Sequence, residues 1–141
     1  MSHRIARLIL FGLLAVALPL RAEEVVPVVS AKSPVTQLNA NQVADIFLGK
    51  SSRFPDGSVA VPIDLSEESP LRERFYTVFT GKSPAQLKAH WSKIIFTGRG
   101  QPPRQVNGSA EAKKALAENP NAIAYIDPKD VDKSVRVLAS R

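Results

Sequence analysis

Hydrophobic residues in this chain come in short packets separated by proline, glycine and hydroxyl residues, and the spacing inside each packet predicts its element. Val25 to Val29 is a β-branched run bounded by Glu24 and Ser30, the pattern of a buried strand. Val43, Ile46 and Phe47 share one helical face behind the capping residue Asn39, and Gly49 supplies a left-handed stop. Phe54-Pro-Asp-Gly57 predicts a turn with proline at its second position, feeding a strand from Val59 to Ile63.

Two helices with proline at the first helical position follow. Ser69-Pro70 opens one whose stripe is Leu71, Phe75, Val78 and Phe79 and which Gly81 closes; Ser83-Pro84 opens another, to about Ile95, with Leu87, Trp91, Ile94 and Ile95 inward. Thr97 to Val106 holds two glycines, two prolines and two arginines and predicts a loop. Asn107-Gly-Ser109 offers a cap for a helix through Ala110, Ala112, Ala115, Leu116 and Ala117, and Asn119-Pro-Asn121 ends it. Ala122 to Ile126 is a compact apolar strand, Asp127 to Asp132 a turn with a helical piece, and Val135 to Leu138 a last short strand. Strands alternating with helices predict an α/β fold, a small mixed or mostly parallel sheet flanked by helices.

The N-terminus has a different grammar. Arg4 and Arg7 precede an apolar run from Leu8 to Leu18, and Pro19-Leu-Arg-Ala22 ends it with a small residue, the layout of a secretory signal peptide cut after Ala22. The run is well short of the about 20 apolar residues that span a bilayer, so residues 1–22 are expected to be removed and no stable membrane insertion to remain. About 119 residues, 23–141, then form one domain, too few for two lobes of ordinary size. The expected location is the periplasm of a Gram-negative bacterium, as a soluble protein.

Composition narrows the chemistry. The chain has no cysteine, which removes disulfides, thiol catalysis and a lipoprotein acceptor thiol, and beyond residue 22 it has the single histidine His90. No metal and no cofactor is expected. The formal charge is +6, and +3 once Arg4, Arg7 and Arg21 leave with the leader. With acids interspersed, that balance suits small anions and not nucleic acid. His90 reads as a satisfied helix-surface residue; Asp45 as an exposed helix charge, and Asp64 as a helix-cap or turn residue after a strand. No acid, base or nucleophile converges with them, so an enzyme is not expected.

The ordered pieces Gln42-Val-Ala-Asp-Ile-Phe-Leu-Gly-Lys50, Phe54-Pro-Asp-Gly57, Trp91, Phe96-Thr-Gly-Arg-Gly-Gln-Pro-Pro103 and Ala122-Ile-Ala-Tyr-Ile126 resemble the second lobe of the phosphate ABC transporter receptor. The resemblance runs from about Leu38 to Val137 and extends to the short single-lobe proteins called phosphate receptor-like. It implies a single lobe of a type II periplasmic-binding-protein fold, with a small oxyanion such as phosphate as ligand. An inner-membrane ABC transporter, or a second protein supplying the other lobe, is the implied partner. The family's phosphate-gripping motif, arginine, any residue, Asp-Gly-Ser-Gly-Thr, falls on Leu65 to Leu71, where only Ser69 is kept.

The candidate oxyanion ligands are therefore Ser66, Ser69 and Arg72 at one helix start, Ser109 at another, and Arg99 in the glycine loop. A helix N-terminus attracts anions through its unpaired amides and macrodipole, and arginine pairs with oxyanions in two-pronged fashion. An ordinary capping role competes for Ser69, and Glu67 and Glu68 would occupy the same positive field. Two function classes follow: a solute-binding lobe, or a periplasmic adaptor that has lost phosphate binding.

Overall fold

The computed structural model describes residues 24–138, so the expected leader and its cut lie outside the described residues. Strands β1 (Val26–Ser30), β2 (Val61–Leu65), β3 (Arg104–Val106), β4 (Ala122–Ile126) and β5 (Val135–Val137) form one sheet in the order β3-β2-β4-β1-β5. β2 runs parallel to both β3 and β4, while β1 is antiparallel to β4 and β5. The sheet is thus mixed in equal measure, the first strand running against its partners. Helices α1 (Ala40–Phe47), α2 (Pro70–Thr80), α3 (Pro84–Phe96) and α4 (Ser109–Glu118) flank it, and a 3₁₀ turn covers Pro128–Asp130.

The helix boundaries follow from capping chemistry. Asn39 with Gln42, and Ser83 with Gln86, form reciprocal capping boxes at α1 and α3. Gly49 and Gly81 adopt left-handed conformations, φ 72° and 69°, just past α1 and at the end of α2. Gly57, φ 88°, donates its N–H to the Phe54 carbonyl at 2.9 Å and closes the expected turn.

β4 is the middle of the molecule. All five of its residues are buried, as a strand covered on both faces requires. Phe47 of α1, Phe75 of α2 and Tyr125 of β4 meet above it: the Phe75 and Tyr125 rings stack at 4.0 Å, and Phe47 meets Phe75 edge-on at 4.8 Å.

Several boundaries and faces differ from expectation. The second strand lies two residues later, because its parallel pairing with β4 starts at Val61 and that with β3 ends at Leu65. Val59 is left in an isolated bridge to Arg53 and is about half exposed. The expected loop 97–106 ends in strand β3, too short at three residues to show periodicity. On α2 the buried pair is Phe75 and Tyr76, not Val78; on α3, Ile94 packs on the core but Ile95 is 53% exposed.

Candidate functional site

The parallel trio β3-β2-β4 ends along one edge of the sheet, and each strand there runs into a helix start or turn. Ser66 follows β2 directly, its N–H bonded to the Val106 carbonyl at the end of β3, 3.0 Å away. Ser69 caps α2 by backbone position, yet its side chain makes no capping bond. Ser109 is the first residue of α4, with its hydroxyl 3.4 Å from the Asp127 amide beyond β4. The Asn107 N–H donates to the Glu111 carboxylate at 2.9 Å. Thus Ser66, Ser69 and Ser109 gather on one edge by strand order alone.

Arg72, in the first turn of α2, reaches down from that edge to Asp64. Asp64 is in the body of β2, 1% exposed, where the expected cap or turn role is corrected to that of a buried acceptor. Its Oδ2 accepts from the Tyr76 hydroxyl at 2.8 Å and from Arg72 Nε at 3.3 Å. Its Oδ1 accepts from the Tyr125 hydroxyl and from the Leu65 N–H. The Arg72 guanidinium also lies 5.2 Å over the Tyr76 ring. Burial, and then the neighbouring Asp64 charge, push both tyrosine hydroxyls far above the ordinary tyrosine range, so they stay protonated and donate.

A buried carboxylate is tolerable only when paired and hydrogen-bonded, and here every partner needed is supplied. The sequence carried one faint sign of this cluster, a charged residue inside the apolar run Val61–Leu65. Nothing in it paired Asp64 with Tyr125.

Between the start of α2 and helix α3 lies a cavity of about 450 Å³, lined by Glu67, Arg72, Lys88, Trp91 and Gln105 among others. Glu67 and Glu68 are exposed at this edge. Arg99 is elsewhere: it is exposed on the loop that enters β3 from its N-terminal end, whereas the three serines follow the C-terminal ends of their strands. Asp45 is exposed on α1, and His90 is satisfied by the Leu48 carbonyl at 2.8 Å. Among the described residues no three His, Asp or Glu side chains gather into a metal-holding group, and no helix is long and apolar enough to cross a membrane.

Neither a protein-family model nor a curated protein matches the sequence. Solved structures do match. A phosphate ABC transporter substrate-binding protein from Clostridium perfringens, solved with bound phosphate, aligns at TM-score 0.65 and 22% identity over 81% of this chain and 43% of its own. An ABC-type phosphate transport receptor from Vibrio cholerae aligns at TM-score 0.63 and 21% identity, over 81% of this chain and 44% of its own. PstS from Borrelia burgdorferi gives 0.59 and 15%, over 82% and 46%. The chain therefore has the fold of one lobe of the phosphate-receptor type and spans less than half the length of these structures.

Proposed function

We propose that the protein is a periplasmic phosphate-receptor-like binding lobe that takes a small oxyanion, phosphate in the first instance, in connection with ABC transport. The observation that carries this reading is the convergence of the α2 and α4 starts on one sheet edge, with the Ser69 hydroxyl uncommitted to capping. Ser66, Ser69 and Ser109 are the proposed hydroxyl donors, with Arg72 behind them. Helix-start amides left without partners add donors, and their dipoles favour negative charge. A single lobe offers an open face, so tight capture calls for a second polypeptide across it. The role is one of binding and not of catalysis, in keeping with the likeness to substrate-binding proteins.

A second reading, an adaptor that no longer takes phosphate, is favoured by the acids at the same edge. Glu67 and Glu68 are exposed there, Arg72 is engaged by Asp64, and the Glu111 carboxylate already holds the Asn107 amide. Thermal unfolding of the protein with and without phosphate separates the two. A ligand at about 100 times its Kd adds roughly 2.7 kcal/mol, which raises the midpoint visibly. A rise that Ser69→Ala and Ser109→Ala diminish supports the solute reading; no rise with millimolar phosphate favours the adaptor.

A further inference from the structure

The C-terminal ends of α1 and α3 frame a second concave surface, at the Arg99 loop and away from the serine edge. This cavity measures about 480 Å³, and among the described residues its charged lining is Lys50, Lys93 and Arg99, with no Asp or Glu. Leu48, Trp91 and Ile94 make its apolar wall. The wall depends on Gly49: a Cβ there would stand 2.9 Å from Trp91 Cη2, so only glycine lets the loop after α1 close on the indole.

Cations at helix C-termini are commonly drawn to unpaired terminal carbonyls. Here four of those carbonyls already have donors. The Asp45 carbonyl accepts from the Lys50 amide at 2.9 Å, the Leu48 carbonyl from His90, the Lys93 carbonyl from the Thr97 amide, and the Ile94 carbonyl from the Arg99 amide. Among the described residues the side chains of Lys50, Lys93 and Arg99 make no hydrogen bond or ion pair. These cations complement the C-terminal ends of α1 and α3, yet none has a carboxylate partner, and three such cations around an apolar hollow suit an anion with an apolar body. The volume falls within the about 300–1,000 Å³ usual for small organic ligands, far more room than one inorganic ion fills.

We propose that this cleft binds an organic phosphate, its phosphoryl oxygens held by Lys50, Lys93 and Arg99 and its apolar remainder laid against Ile94 and the small exposed part of Trp91. The site is distinct from the serine edge and does not require that edge to bind phosphate. The same chemistry is offered by a free nucleotide and by an anionic phospholipid headgroup. Phe96, 92% exposed, stands at the same end of α3, where a lipid surface would take it up.

Calorimetry of the protein with adenosine monophosphate at low ionic strength, beside sedimentation with phosphatidylglycerol vesicles, tests the site. Binding of one or both is expected, with Arg99→Ala and Lys93→Ala each weakening it about tenfold, the worth of one charge-assisted contact. Ser69→Ala and the exposed Lys114→Ala should leave it unchanged, and added salt should weaken it. A free nucleotide as the source is indicated if Phe96→Ser has no effect, and a lipid headgroup if Phe96→Ser abolishes sedimentation while the nucleotide fails to bind. The proposal is overturned if neither probe binds, or if Lys114→Ala costs as much as Arg99→Ala. Failure of phosphate at the serine edge would leave this result untouched, because the Ser69 variant reports on that edge alone.

Discussion

The Asp64 carboxylate accepts a hydrogen bond from the hydroxyl of Tyr125, 61 positions further along the chain, and so ties the body of β2 to the central strand β4. Tyr76 and Arg72 close the arrangement from α2. Removing the acceptor leaves two buried hydroxyls and a largely buried guanidinium without their partner. Asp64→Ala is expected to cost about 3–5 kcal/mol, the penalty for breaking a buried pair from one side. Tyr76→Phe, which removes one donor, should cost about 1–3 kcal/mol. Urea denaturation of the two variants measures both, and equal midpoints for Asp64→Ala and the parent would refute the role given to Asp64.

Alkaline pH should act through the same pair of hydroxyls. Their folded-state pKa values are raised by burial and by the Asp64 charge above the ordinary value of 10.0. In the unfolded chain they ionise near that ordinary value, so their contribution is complete below about pH 10 and is lost as pH rises further. Stability measured against pH is expected to be flat in this respect at neutral pH and to fall above about pH 10. Tyrosinate absorbance should appear together with loss of the fold; ionisation of both tyrosines in the folded protein would contradict the geometry.

Gly49 and Gly81 share a left-handed backbone but not their surroundings. A Cβ at Gly81 meets nothing within 4 Å, whereas one at Gly49 meets Trp91 at 2.9 Å. Gly81→Ala should therefore cost only the conformational penalty, about 1–2 kcal/mol. Gly49→Ala adds a clash with a buried indole and should be clearly worse, with a change in tryptophan fluorescence that Gly81→Ala lacks. Similar unfolding midpoints for the two would show that the indole yields freely.

Aromatic residues on neighbouring helices should respond in opposite ways to truncation. Phe75 is fully buried and touches Phe47, Tyr76, Phe79 and Tyr125, so Phe75→Ala should cost about 3–5 kcal/mol. Phe96 is 92% exposed, and Phe96→Ser should change stability by no more than about 0.5 kcal/mol. Thermal melts of the two variants decide the matter.

Element type was legible wherever local chemistry sets it. Asn39, Ser83, Pro70, Pro84 and the glycines at 49, 57 and 81 act on backbone groups within a few residues of themselves, so their helix starts, stops and turn could be read in order along the chain. The all-apolar β4 announced itself in the same way. Faces were less legible: the α3 stripe included Ile95, because periodicity names a favoured side but not where the neighbouring element ends.

Of the candidate ligands, the sequence by itself placed Ser66, Ser69 and Arg72 at one helix start, Ser109 at another, and Arg99 in a loop. Only the tertiary structure decided that the three serines share an edge while Arg99 belongs to a different cleft, since that follows from the order β3-β2-β4 and its parallel sense. It alone also turned Asp64 from a turn residue into a buried acceptor. Capping and turn preferences are local energies that a short stretch of residues carries in full; the fate of a carboxylate depends on which distant hydroxyls reach it, and that is settled only when the strands pair.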